Sequence, residues 1–330
     1  MLLAWDGLFH GGSYSGAGYP PTVAPMSIHL LEAAEVELVL AARSADLGGG
    51  MSVLRALPQA RRRMVGPFVF LDQMGPVDFA AGGASDVRMH PHIGLSTVTY
   101  LFEGEGLHRD TVGSVQRILP GDVNWMTAGR GIAHSEHITH AAGTPGGRVL
   151  GIQIWVALPK AVEETAPSFV HHAASTLPEF GDGGARIRLV AGSLFGERSP
   201  VKTHSELFYA DVALEPGAVL GLTAEHEERA AYVVDGSVEL STGTLQAGNL
   251  AVFQRGAEVC LRASEGARVL LLGGEPMDGP RHIWWNFVSS SKERIEQAKE
   301  DWRAQRFGRI EGETEFIPLP GTPPPPVNYP

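Results

Sequence analysis

Residues 90–104 read His90-Pro91-His92-Ile93-Gly94-Leu95-Ser96-Thr97-Val98-Thr99-Tyr100-Leu101-Phe102-Glu103-Gly104. From Ser96 to Phe102 the run is β-branched and aromatic, and Glu103-Gly104 then turns the chain, the pattern of a buried strand. A second stretch, Val149 to Ala157, sets Ile152, Ile154 and Val156 against Gln153 and Trp155 on the opposite face, again with the period of a strand. The rest of the 330 residues has the same texture: 41 glycines and 23 prolines break the chain into short apolar pieces joined by tight turns. The expected class is all-β. The exception is a helix near the C-terminus, where Ser290 and Glu293 have capping-box spacing, Ile295, Ala298 and Trp302 recur at helical intervals, and Gly308 can stop it.

A weak repeat sets the domain count. Tyr100-Leu-Phe-Glu-Gly104 and Leu119-Pro-Gly-Asp122 are echoed by Tyr232-Val-Val-Asp-Gly236 and Gln246-Ala-Gly-Asn249, at offsets of about 127 to 132 residues. Two copies of a β unit this size predict two tandem jelly-roll barrels, which hide their sheet edges by closing on themselves. The expected division is a lead-in over 1–25, a first barrel over 26–165, a second over 166–288, a helix over 289–308 and a Pro-rich tail over 309–330. Seven prolines between 318 and 330 favour an extended, passive tail.

Composition excludes several functions. A net charge of −11 removes the electrostatic footprint of a direct nucleic-acid binder or a binder of anionic membranes. No apolar run is long enough to span a bilayer, and the start lacks the pattern of a secretory signal. The single Cys260 rules out an intrachain disulfide and reads as a small core residue, consistent with a cytoplasmic setting. The short basic run Arg61-Arg62-Arg63 reads as exposed charge flanking a strand.

The chemistry concentrates in His90-Pro91-His92 and, 42 residues after His92, His134-Ser135-Glu136. Residues i and i+2 of a strand share a side, so each pair can aim two ligands into one barrel. A lone histidine is more often a hydrogen-bonded core or surface residue, but two such pairs outweigh that reading. Three imidazoles and a carboxylate suit one divalent first-row metal with positions left for substrate, oxygen or water. His137 should point outward, and His137 and His140 are expected at the surface. Phe79, Met89, Trp125 and Met126 are candidates either to wall a flat aromatic pocket or simply to pack the barrel.

These residues, with His108-Arg-Asp110, Pro120-Gly-Asp-Val-Asn-Trp-Met-Thr-Ala-Gly-Arg-Gly131, Gly66-Pro-Phe-Val-Phe-Leu-Asp72 and Gly151-Ile-Gln-Ile-Trp-Val156, resemble the pirin family of two-barrel cupins. The resemblance implies a metal, usually iron, held by His90, His92, His134 and Glu136, and a metal-free second barrel. The sequence agrees on the second point: His226-Glu227-Glu228 stands where the His-x-His pair would be, and His226 is expected to be a solvated residue of an acidic run. Many pirins carry Arg-Gly-Phe-Glu after the His-Pro-His, whereas this chain has Ile93-Gly94-Leu95-Ser96, which bears on substrate choice rather than on the metal.

Pirins similar to quercetin 2,3-dioxygenases open a flavonol with molecular oxygen. The activity implied here is that reaction, with Fe(II) or another first-row metal and with Glu136 as ligand and catalytic base. An alternative is a non-enzymatic iron redox sensor that contacts a transcription factor or other protein. A third is a cupin acting on a substrate other than a flavonoid.

Overall fold

The stretch from Ser96 to Phe102 falls in the strand Leu95–Glu103, whose alternation separates two environments. Val98, Tyr100 and Phe102 enter a core shared by both halves of the molecule, whereas Leu95 and Leu101 belong to other clusters. The computed structural model describes residues 35–46, 52–80, 82–140 and 146–321. The Gly/Pro-rich lead-in and the proline run from residue 322 onward lie outside them.

The first barrel pairs a seven-stranded with a four-stranded sheet. The larger runs Ser168–His172, Val123–Thr127, Leu95–Glu103, Gly146–Ala157, Phe68–Ala80, Ser52–Leu57, Arg43–Asp46, and the smaller runs Ala84–His92, Ile132–Thr139, Glu105–Asp110, Val115–Ile118. The second barrel repeats the plan, with an eight-stranded sheet and the four-stranded sheet Val219–Leu222, Val259–Arg262, Ser237–Leu240, Gly243–Gln246. This is the expected all-β, two-cupin architecture. Among the described residues two strands depart from the expected division: Ser168–His172 pairs with Val123–Thr127 in the first barrel's sheet, and Val36–Ala41 pairs antiparallel with Asn249–Phe253 in the second barrel's large sheet.

The two large sheets face each other. Tyr100, Ile152, Ile154 and Val156 from the first meet Tyr209, Tyr232, Leu250 and Leu272 from the second. Two buried phenols find acceptors across this core, as buried polar groups must. Tyr100 donates to Oδ2 of Asp211 at 2.7 Å and Tyr232 donates to Oε1 of Gln73 at 2.9 Å. Arg268 clamps Asp211 from the other side through two hydrogen bonds of 2.8 and 2.6 Å. The repeated turns are also visible: Gly104 and Gly236 both have positive φ, +89° and +73°, which glycine adopts without Cβ strain.

The helix Lys292–Arg303 buries Ile295, Ala298 and Trp302, as its periodicity predicts, against Ile93, Ala133 and Phe287. Its cap is Ser291, one residue beyond the expected Ser290. Oγ of Ser291 accepts from the Arg294 amide, while Ser290 donates both its amide and its hydroxyl to Glu163. Beyond the helix, the chain returns along Ala84–His92: Trp302 Nε1 donates to the Ile317 carbonyl, and the Ile317 amide donates to the Met89 carbonyl.

Three single-residue expectations are corrected. Cys260 is exposed, because Val259 and Leu261 take the inward positions of their strand. His226 is buried rather than solvated, with Nε2 2.9 Å from the Ser193 carbonyl and its ring against Phe208. His140 is also buried, one residue past its strand, where alternation no longer governs orientation. His137 is exposed beside Asp86, as expected. Arg61 is exposed, while Arg62 reaches Glu37 and Glu228, tying the first barrel's loop to the second barrel's strands.

Candidate metal centre

The smaller sheet of the first barrel carries the site. Ala84–His92 and Ile132–Thr139 pair antiparallel, with His134 opposite His90 and Ile132 opposite His92. The register slips between His134 and Glu136, so Glu136 faces Val87 and the bulge re-aims the residues on either side of it. On its other edge, Ile132–Thr139 pairs with Glu105–Asp110, which sets Asp110 opposite His134 and His108 opposite Glu136.

This pairing brings three of the four expected residues, His90, His92 and His134, into one triad and sets Glu136 in a second, with His108 and His134. One ligand atom each from His90, His92 and His134 lies within 4.8 Å of the others, and so do ligand atoms of His108, His134 and Glu136. His134 belongs to both. Nε2 of His92 is 3.1 Å from Nε2 of His134, and Nδ1 of His90 lies 2.9 Å from the Arg88 carbonyl, which leaves the Nε2 of His90 free to face its neighbours. Oγ1 of Thr99 lies 3.1 Å from Oε1 of Glu136 and 2.9 Å from the Gln153 side chain.

Burial lowers the pKa of His90 and drives those of His92 and His134 well below the usual imidazole value. Neutral imidazoles present lone pairs, and two of them confront each other across 3.1 Å with room for at most one hydrogen between them. That donor set fits a cation. Burial pushes Asp110 up, but hydrogen bonds from His108 and Ser114 outweigh it and leave the carboxyl below its ordinary value.

Aromatic rings back the cluster. Trp155 lies edge-on to His92, centroids 5.2 Å apart, and stacks on Phe70 at 4.0 Å. Phe169 stacks on His108 at 4.3 Å. The sequence offers Phe70, His108 and Trp155 only as strand or family-motif residues, and assigns neither them nor Phe169 a place at the site. For His108 a signal exists, because His108-Arg109-Asp110 is another i, i+2 polar pair on a strand whose alternate residues are buried.

A cavity of about 1070 Å³ adjoins Glu136, lined by Arg88, Leu107, Arg109, Ser135 and the segment 312–315 among others. Phe79, Met89, Trp125 and Met126, candidates either for a pocket wall or for barrel packing, do not line it. Trp125 turns into the core between the barrels, Met126 packs with Leu95 and Trp155, and Phe79 packs beside Val53 and Met74. Met89 instead borders a smaller neighbouring cavity with Trp302 and Phe316. Ile93 and Ser96, at positions where many pirins carry Arg and Glu, are buried, Ile93 beneath the helix and Ser96 against Thr127. The corresponding interior of the second barrel is filled by hydrocarbon, including Leu189, Phe208, Val233, Leu261 and Leu271.

Two tandem β-barrels, one with a buried cluster of imidazoles on facing strands, define a bicupin. The chain belongs to the pirin family: the Pirin sequence model matches residues 50–156 and that of the pirin C-terminal cupin domain matches residues 209–308. It is 53% identical over 289 residues to a pirin-like protein of Caulobacter vibrioides, covering 86% of this chain and 99% of that one. Pirin-1 of Arabidopsis thaliana is 30% identical, covering 79% and 90% of the two chains. The crystal structure of quercetin 2,3-dioxygenase from Acinetobacter baumannii superposes with a TM-score of 0.81 at 35% identity, covering 88% of this chain and 97% of that one. Among the described residues, no helix is long and apolar enough to cross a membrane.

Proposed function

We propose that the chain is a metal-dependent dioxygenase that opens a flavonol such as quercetin with molecular oxygen. In this reading His90, His92, His134 and Glu136 are the ligands of one ion in the first barrel, and the second barrel holds none. The observation that carries it is the buried triad His90, His92 and His134 on paired strands, with a carboxylate oxygen of Glu136 within 4.8 Å of ligand atoms of His108 and His134. The likeness to the Acinetobacter baumannii enzyme supports the substrate class.

Fe(II), or another first-row ion in its place, would supply Lewis acidity toward a substrate hydroxyl and a partner for oxygen. The chain's own residues do the rest. Glu136 accepts the hydroxyl proton with the carboxylate oxygen left free by ligation. The Thr99 hydroxyl, donating to Oε1, holds that carboxylate in position. Trp155 and Phe70 close the side behind His92 against water. The substrate is a small aromatic molecule, and the same reading sets the protein in the cytoplasm, in keeping with its single cysteine.

The test is purification without a chelating tag, elemental analysis, and quercetin turnover under oxygen and under nitrogen. One ion per chain with oxygen-dependent loss of quercetin is the expected result. A metal-loaded chain that turns over no flavonol would replace the proposal with that of an iron-dependent regulator acting through a protein contact.

A further inference from the structure

His108 is buried, and both of its ring nitrogens are engaged. Nε2 lies 3.0 Å from Oδ2 of Asp110, and Nδ1 lies 3.3 Å from Nδ1 of His134. The other Asp110 oxygen accepts from the amides of Val112 and Ser114 at 3.0 and 2.9 Å. Phe169 lies flat on the His108 ring, with 18° between the planes. The ring is therefore held at both ends and on one face.

The hydrogen positions follow from this geometry. A carboxylate only accepts, so the hydrogen between His108 and Asp110 sits on Nε2 of His108. Nδ1 of His108 is then a lone pair, and the hydrogen between the two imidazoles belongs to Nδ1 of His134. That leaves Nε2 of His134 as a lone pair facing Nε2 of His92. A ligand role for His108 would need the same Nδ1 lone pair. It would also require His134 to offer Nδ1, turned away from the nitrogen that faces His92.

We propose that Asp110 and His108 form a relay that locks His134 in its Nδ1–H tautomer, aims its Nε2 at the ion and places a negative charge behind it. Both are positioning residues, acting through His134. Outer-sphere carboxylates commonly orient and strengthen ligating imidazoles in this way, but here a second imidazole is interposed. The relay rests on the proposed role of His134 as a ligand, and its consequence is a metal affinity that depends on residues making no contact with the ion.

The experiment uses the full chain labelled with ¹⁵N-histidine and loaded with Zn(II), a diamagnetic probe. Long-range ¹H–¹⁵N spectra of the unmutated protein should show His134 protonated on Nδ1 and ligated through Nε2, and His108 protonated on Nε2. A His108 that is zinc-bound or protonated on Nδ1 overturns the relay, and that reading needs no variant to fold. Asp110→Asn turns an acceptor into a donor and should move the His108 hydrogen to Nδ1, a change that simple loosening would not produce. Asp110→Asn and His108→Phe, the latter retaining the stack on Phe169, should each weaken zinc binding about 10- to 100-fold in chelator competition. If both hold zinc as tightly as the unmutated chain while His92→Ala does not, the relay is wrong and the ligand site stands. If His92→Ala also binds unchanged, the ligand assignment fails and the relay with it. Two zinc ions per chain, one of them lost in His108→Phe, would make His108 a ligand and likewise overturn the proposal.

Discussion

Nε2 of His92 stands 3.1 Å from Nε2 of His134, a diagonal contact between two antiparallel strands whose register places His134 directly opposite His90. At that distance two neutral imidazoles either share one hydrogen or turn both lone pairs toward a cation.

The first prediction is a pH dependence. The unfolded histidines titrate near 6.5, whereas burial lowers the values of His90, His92 and His134 in the fold. Between those limits the unfolded chain binds protons that the folded chain refuses, so stability is full above about pH 6.5 and falls as the pH drops below it. Each group contributes at most about 1.4 kcal/mol per pH unit. The Tm of the metal-free protein should therefore decline from pH 7 toward pH 5, and a His90→Gln/His92→Gln/His134→Gln variant should lose much of that slope. Equal slopes in the two proteins would refute the buried, neutral cluster.

Glu136→Gln should keep the barrel folded and retain some metal through the three imidazoles. An amide is a poor proton acceptor, and loss of a general base typically costs about two to four orders of magnitude in rate. Quercetin turnover at equal metal loading reads this directly. Near-normal turnover would remove the carboxylate from the mechanism. His92→Ala should act differently, lowering metal content itself, as elemental analysis would report.

The hydrogen bond from Tyr100 to Asp211 joins the two barrels inside their common core. Tyr100→Phe deletes the donor and leaves Asp211 with its two bonds from Arg268. Hydrogen bonds to charged groups are worth about 1.5–3 kcal/mol, and urea unfolding should show a loss of about that size. An unchanged midpoint and slope would mean that Arg268 alone satisfies the carboxylate.

Gly82 and Gly236 share a φ of +73° but differ in surroundings. A Cβ on Gly82 would meet nothing within 4 Å, whereas one on Gly236 would come 2.3 Å from the Gly266 carbonyl oxygen. Gly82→Ala should cost only the left-handed conformation, about 1–2 kcal/mol. Gly236→Ala should cost clearly more, because backbone must move. Equal losses in denaturant titrations would show that the second barrel's turn gives way freely.

The sequence determined the all-β class, the doubling of the unit and the pairing of candidate ligands within each strand, because these depend on neighbours one to a few residues apart. A period of two is enough to put His90 with His92 and His134 with Glu136. Ile295, Ala298 and Trp302 declared the buried side of the helix by the same kind of arithmetic. Only the tertiary structure decided which strands stand beside each other. The bulge between His134 and Glu136, the register that brings His108 and Asp110 behind His134, and the crossing of Val36–Ala41 into the second barrel's sheet are relations between distant segments. For the same reason Trp125, a candidate either for a pocket wall or for barrel packing, packs between the barrels, while Trp155, 63 residues from His92 in sequence, lies against its ring. Alternation fixes which residues share a side of a strand, but which side faces the imidazole cluster depends on what packs against it.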